Sequence, residues 1–242
     1  MTTQSHHDHV EKQFSSQASE YLTSTVHASG QDLQRLAVRL ADYPDASVLD
    51  MGCGAGHASF VAAQNVSTVV AYDLSAHMLD VVAQAAEARQ LKNITTRQGY
   101  VESLPFADNA FDIVISRYSA HHWHDVGAAL REVNRVLKPG GLLIYSTCTY
   151  NKEEDEENVA WIAGELGAEV LKVPVSSEWG IIGNLAGQDF PVYRFLPHSV
   201  KGEGFFLAVL RKNAATSHAV PCIRCREDKK EIRLRLLLFP KK

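Results

Sequence analysis

No run of 18 apolar residues occurs in this 242-residue sequence, so no transmembrane helix and no membrane partner are expected. The opening residues MTTQSHHDHVEKQF hold no apolar core segment, which speaks against a secretory signal. Cysteine is scarce: four residues are too few to staple a chain of this length, and a reduced, cytoplasmic setting is the expectation. The pair Cys222-Ile-Arg-Cys225 has no second ligand pair, so no metal site is expected. No Gly-Lys-Ser/Thr follows the one glycine-rich loop, which excludes a phosphate-binding P-loop. No internal repeat is visible. With 45% hydrophobic and 21% charged residues the chain is neither disordered nor fibrous.

Charge is unevenly spread around the net value of −4. Residues 1–150 carry 10 Lys/Arg against 15 Asp/Glu, a balance of −5, whereas residues 211–242 carry 10 against 3, or +7. The acidic body argues against a broad nucleic-acid footprint, and the basic tail leaves that contact open.

What is present is an alternation of strand-like and helix-like segments. A helical lead-in over residues 1–45 places Leu33, Leu36, Ala37 and Leu40 at helical spacing. Strands are expected at 48–51, 68–72, 94–98, 111–116, 142–147, 192–196 and 205–210. Helices are expected at 57–64, at 75–90 with Ser75 as N-cap, and at 126–137 before the stop Lys138-Pro-Gly-Gly141. Another is expected from Asn151, with Glu154 reaching back to cap it. The pattern predicts an α/β fold, a Rossmann-like, doubly wound, mostly parallel sheet of seven strands with helices on both faces. Residues 1–212 read as one domain, and the basic residues 213–242 as a tail outside its core.

Asp50-Met-Gly52-Cys53-Gly54-Ala-Gly56 follows the first strand and opens a helix. Glycines there permit a tight turn and let a ligand approach the backbone. His57 stands where a dinucleotide-binding loop has its third glycine, which weakens that reading. Seventeen residues after Gly56, Asp73 ends the second strand, where a carboxylate can accept from both hydroxyls of a ribose or cap the next helix.

These segments, with Asp73-Leu74-Ser75-Ala-His-Met78, Leu104-Pro-Phe106, Phe111-Asp112 and Leu137-Lys-Pro-Gly-Gly141, resemble the class I S-adenosylmethionine-dependent methyltransferases, and among them the quinone-biosynthesis C-methyltransferases. The resemblance implies a cofactor site. Gly52, Cys53 and Gly54 would line the methionyl and ribose part, with Asp50 and Gly56 framing the loop. Asp73 would bind the ribose, and Leu74 and Met78 would pack on the adenine. Val101 would meet the adenine edge. Glu102 would take the place of the Asp that many relatives carry at the position of Tyr100. Ser116 would lie beneath the sulfonium.

Methyl transfer needs reactants held in line, and acid–base help only when the acceptor must lose a proton. No catalytic residue is therefore assigned. His121, His122 and His124 follow the fourth strand and can serve as a base or as surface or cofactor-packing groups, with no carboxylate or cysteine placed to complete a metal site.

After residue 141 a second resemblance begins. Leu143-Ile-Tyr-Ser-Thr-Cys148-Thr-Tyr-Asn-Lys-Glu-Glu-Asp-Glu-Glu-Asn158 and Arg194-Phe-Leu-Pro-His198-Ser-Val-Lys-Gly-Glu-Gly-Phe-Phe206 are similar to RNA cytosine-5 methyltransferases of the Nop/Sun group. There the cysteine at the position of Cys148 attacks the base. The Pro-Cys pair of that family is missing after the fourth strand, which reads Ser116-Arg-Tyr-Ser119. The chain reads as a composite joined near residues 138–143. The expected activity is methylation of a small organic acceptor. The alternatives are RNA cytosine-5 methylation through Cys148 and cofactor binding without turnover.

Overall fold

In the computed structural model, residues 30–185, 187, 189–198 and 204–214 are described. Most of the lead-in, the histidines near the N-terminus, most of the basic tail and the pair Cys222/Cys225 lie outside them. The chain runs α1 (Gln31–Leu40), β1 (Ser47–Met51), α2 (His57–Ala63), β2 (Thr68–Asp73), α3 (Ala76–Ala88), β3 (Ile94–Gln98), β4 (Phe111–Arg117), a 3₁₀ turn (Ala120–His122), α4 (Val126–Val136), β5 (Leu137–Thr147), α5 (Glu156–Glu165), β6 (Glu169–Val170), β7 (Tyr193–Phe195) and β8 (Phe205–Arg211).

The strand order is β3-β2-β1-β4-β5-β8-β6, with β7 also on β8. Strands β1 to β5 are parallel, while β8 is antiparallel to β5, β6 and β7. All seven expected strands are present. The sheet nevertheless has eight, because Glu169–Val170 adds two residues beside Leu210 and Arg211. So short a strand has no alternation to read.

Alternation along the strands divides the core between two faces. Val48, Ile113, Ile115, Leu142 and Ile144 pack with Leu33 and Leu40 of α1 and with Ala58 and Ala62 of α2. Leu49, Met51, Val114, Leu143 and Tyr145 pack with Leu130 and Val133 of α4 and with Val159 and Ile162 of α5. Helix α3 buries Met78, Leu79, Val82 and Ala86, and the Ser75 hydroxyl caps it by accepting from Met78 N at 3.3 Å. Among the described residues, no helix is long and apolar enough to cross a membrane.

Helix α5 starts later than expected. Asn151 Oδ1 does accept from Glu154 N, at 2.7 Å, but this closes a turn, and the helix begins at Glu156. The Glu154 side chain does not cap it; the Glu154 carbonyl instead accepts from the Tyr145 hydroxyl at 2.8 Å.

The segment Lys138–Gly141 is locked on both sides. Gly140 N donates to Lys212 O at 2.8 Å and Lys212 N to Gly141 O at 2.9 Å. A Cβ on Gly141 would lie 2.9 Å from Asp112 O and 2.8 Å from Lys138 O, so glycine is required there. Lys212 Nζ donates to the carbonyls of Asn134 and Leu137, both at 2.7 Å. Replacing Lys212 by Met leaves these two carbonyls without that donor. A loss of about 1–3 kcal/mol is expected, read as a lower urea midpoint at constant slope.

Candidate functional site

The strand order reverses between β1 and β4, which leaves a crevice outside the carboxyl ends of those strands. The glycine loop fills one wall. Gly52 and Cys53 both donate to Tyr72 O, at 2.9 and 3.0 Å, so the loop is stitched to the neighbouring strand. Gly52, Gly54 and Gly56 have φ of +73°, +51° and +84°. In this region a side chain is strained. They are not equivalent, however. A Cβ on Gly52 would lie 2.6 Å from Ser119 Cβ, and one on Gly56 2.8 Å from Val82 Cγ2, whereas one on Gly54 would meet nothing within 4 Å. Gly52 and Gly56 therefore serve close packing, and Gly54 presents an open face.

Asp73 faces this loop from the end of β2. Its Oδ2 accepts from Gly54 N at 2.8 Å and its Oδ1 from Ser75 N at 2.9 Å. Burial raises its pKa, against the backbone N–H groups of Ser75, Gly54 and Leu74. Asp50 is deeper. The Ser59 hydroxyl donates to it at 2.6 Å, and burial pushes its pKa up to about 6. This hydrogen bond fastens the end of β1 to α2. Burial also raises the Cys53 thiol, reinforced by Asp73 and Asp50, which keeps it protonated.

Leu74 is half-buried and Met78 buried at the start of α3, beside Asp73. Val101 is half-buried after β3. Its neighbour is held in place because the Tyr72 hydroxyl donates to Tyr100 O at 3.0 Å. Glu102 Oε1 accepts from His124 N at 2.8 Å and from Asp125 N at 3.2 Å. Ser116 is fully buried and its hydroxyl lies 3.2 Å from that of Ser119.

Three contributors were not expected from the sequence. Ser119 packs on Gly52 and donates to Met51 O at 3.2 Å, so the loop after β4 props the glycine loop. Arg117 and Tyr118 both contact Asp32, at 2.6 and 3.3 Å, which ties α1 to the end of β4. Glu154, from beyond β5, stands 3.5 Å from His121 Nδ1. No local signal marks these pairs, since each joins distant parts of the chain. Cys148 follows β5 at the same edge and is half-buried. Among the described residues no group of His, Cys, Asp and Glu could hold a metal ion.

Replacing Gly52 by Ala introduces strain and a clash with Ser119. An expected loss of about 1–3 kcal/mol should be partly recovered by adding Ser119→Gly, which a urea-melt double-mutant cycle reads directly. Strict additivity of the two changes would contradict the contact.

Residues 49–145 match the family described as Methyltransferase domain, and residues 123–211 match 16S rRNA methyltransferase RsmB/F. The two stretches overlap across α4 and most of β5. Over 93 residues the chain is 88% identical to Uncharacterized protein YafE of Escherichia coli (strain K12), a match covering 38% of this chain and 45% of that one. Over 179 residues it is 32% identical to a malonyl-[acyl-carrier protein] O-methyltransferase of Pseudescherichia vulneris, covering 68% of this chain and 67% of the relative. The crystal structure of NSun6 from Pyrococcus horikoshii with SFG superposes with a TM-score of 0.60 at 25% identity, over 73% of this chain and 50% of that one. The chain spans about half the length of several curated relatives that it matches.

Proposed function

The chain belongs to the class I S-adenosylmethionine-dependent methyltransferases, and on that premise we propose that it transfers a methyl group from S-adenosylmethionine to a small organic acceptor. The observation that carries the reading is the pairing of the glycine loop with Asp73 across the switch point, the Gly54 N–H on the Asp73 carboxylate at 2.8 Å. The residues fit this cofactor: Gly54 offers an open backbone face with positive φ, and a carboxylate stands beside it to receive ribose hydroxyls.

Gly52, Cys53 and Gly54 line the methionyl and ribose end in this reading, with Gly56 and Asp50 holding the loop in shape from behind. Leu74 and Met78 form an apolar wall for the adenine, and Val101 its edge. Glu102 fixes the turn before α4. Ser116 and Ser119 support the floor of the crevice. Bound S-adenosylmethionine supplies an already activated methyl group. The protein's part is to hold two reactants in line and to exclude water, which accounts for the lack of an assigned nucleophile. One domain to residue 212 in the cytoplasm, with the basic tail outside it, completes the proposal. A small acceptor is supported by the names of two relatives, a demethylmenaquinone methyltransferase and a malonyl-[acyl-carrier protein] O-methyltransferase.

Calorimetry with S-adenosylmethionine and S-adenosylhomocysteine tests the cofactor site, and transfer of labelled methyl groups to the small-molecule fraction of a bacterial extract tests turnover. Absence of both binding and transfer rejects the reading. Binding without transfer leaves a cofactor-binding protein.

A second reading rests on the match of residues 123–211 to an rRNA methyltransferase family, with Cys148 at the carboxyl end of β5. It predicts a covalent adduct with 5-fluorocytosine RNA that Cys148→Ala abolishes. No adduct removes it.

A further inference from the structure

His121 and Glu154 are 33 positions apart in the sequence, yet Nδ1 of the one lies 3.5 Å from Oε1 of the other. They come from the loops after β4 and β5, adjacent strands, and so meet above the carboxyl edge of that pair. Ser119, which packs on Gly52, is two residues before His121. Two residues span at most about 7 Å. The histidine therefore stands close to the glycine loop, on the side toward β5.

Glu154 is fixed by more than the histidine. Its N–H donates to Asn151, and its carbonyl accepts from the Tyr145 hydroxyl at 2.8 Å and from Asn158 Nδ2 at 3.0 Å. The buried Thr147 hydroxyl donates to the same Oε1 that faces His121. Burial pushes the Glu154 carboxyl up, but His121 and Thr147 outweigh it and hold the group below the usual carboxylate range. An ionised, immobile carboxylate beside Nδ1 favours the proton there and leaves the lone pair on Nε2. The His121 side chain is 28% exposed and Glu154 only 12%, so the histidine is the accessible member. Titratable neighbours include His122, whose ring centroid is 3.9 Å from that of His121, and Asp155 and Tyr145, which interact electrostatically with Glu154.

The dyad straddles the two matched families. His121 falls only in the stretch matching the methyltransferase domain, and Glu154 only in the stretch matching the rRNA enzyme. Neither pattern alone supplies both members.

We propose that His121 is the base that receives the acceptor's proton, that Glu154 is its positioning residue, and that the acceptor carries an acidic O–H, or a C–H beside a carbonyl: a phenol, a hydroquinone or an enolisable carbonyl compound. The inference rests on the methyl-transfer reading above. The proton passes from the acceptor's oxygen or carbon to Nε2. The electron pair left behind forms the bond to the methyl carbon, while the sulfur–methyl bond breaks and its pair stays on sulfur. The imidazolium then returns its proton to water.

The test uses the full chain, labelled S-adenosylmethionine and the small-molecule fraction of a bacterial extract as acceptor source. His121→Ala should lose about 100-fold in transfer rate, and added imidazole should restore at least about ten-fold of it. Glu154→Gln should slow transfer about ten-fold while S-adenosylhomocysteine affinity stays within two-fold, because the imidazole loses the carboxylate that orients it, and Glu154→Asp should recover part of the rate. Calorimetric binding of S-adenosylhomocysteine reports that both variants are folded. Transfer by His121→Ala within two-fold of the unaltered protein, failure of imidazole to rescue it, or unslowed transfer by Glu154→Gln overturns the proposal. If the unaltered protein transfers no label, the methyl-transfer reading itself fails, a different result.

Discussion

Replacing Arg194 by Met is expected to destabilise the protein by about 3–5 kcal/mol, because it leaves two buried carboxylates without their counter-charge. Arg194 is 2% exposed, and Asp155 and Glu156 are fully buried. Its Nη2 lies 2.8 Å from Asp155 Oδ2, its Nε donates to Glu156 Oε1 at 2.9 Å, and its Nη1 donates to Tyr150 O at 3.2 Å. The cluster joins β7 to the start of α5 and holds the turn after β5. One cation faces two acids, so the acids divide. Glu156 stays below its usual range: burial works against it, and the Arg194 hydrogen bond outweighs that. Asp155 is pushed up to about 7, by burial first and by Glu156 and Glu154, against the pull of Arg194.

The sign of the pH dependence follows. Asp155 holds its proton in the folded state above the pH at which the unfolded chain releases it. It therefore lowers stability as pH rises from its unfolded value of 3.8 through about 7. Urea melts should find the Arg194→Met penalty larger above pH 7 than below it, and partly reversed by adding Glu156→Gln. A penalty under about 1 kcal/mol would show that the cluster is not essential to the fold.

Asp73→Ala is expected to weaken S-adenosylhomocysteine binding about 100-fold. Each hydrogen bond to a charged group contributes about 1.5–3 kcal/mol, and two ribose hydroxyls together account for about two decades of affinity. The same change removes the acceptor for Gly54 N and Ser75 N, so the loop loses its tether as well. Because burial raises the Asp73 pKa, affinity in the unaltered protein should fall as pH drops through that raised value. Calorimetry across pH measures both effects. A loss of less than about three-fold would move the ribose to another part of the crevice.

Much of this architecture is local in origin and could be read before folding. Val48-Leu49, Ile113–Ile115 and Leu142–Ile144 are apolar runs that pack on both faces, as central parallel strands do. Ser75 caps α3 as its chemistry requires, whereas α4 ends at Val136 and the expected stop Lys138-Pro-Gly-Gly141 falls within the start of β5. The glycine loop and Asp73 were legible for the same reason, since spacing along a strand–loop–helix unit is set by the backbone. Helix α5 was misplaced by a turn because Asn151 can cap a turn as well as a helix, and five residues cannot decide between them.

The sequence by itself determined the order of elements, the two-faced core and the loop–acid pair, because periodicity, capping and turn geometry act over a few residues. Only the tertiary structure decided which side chains from distant loops meet. Ser119 beneath Gly52, Glu154 beside His121, and Arg194 between Asp155 and Glu156 arise from the packing of β4, β5, β7 and α5. Their separations exceed 30 residues along the chain. The pairing of strands sets such contacts, and no local pattern records them.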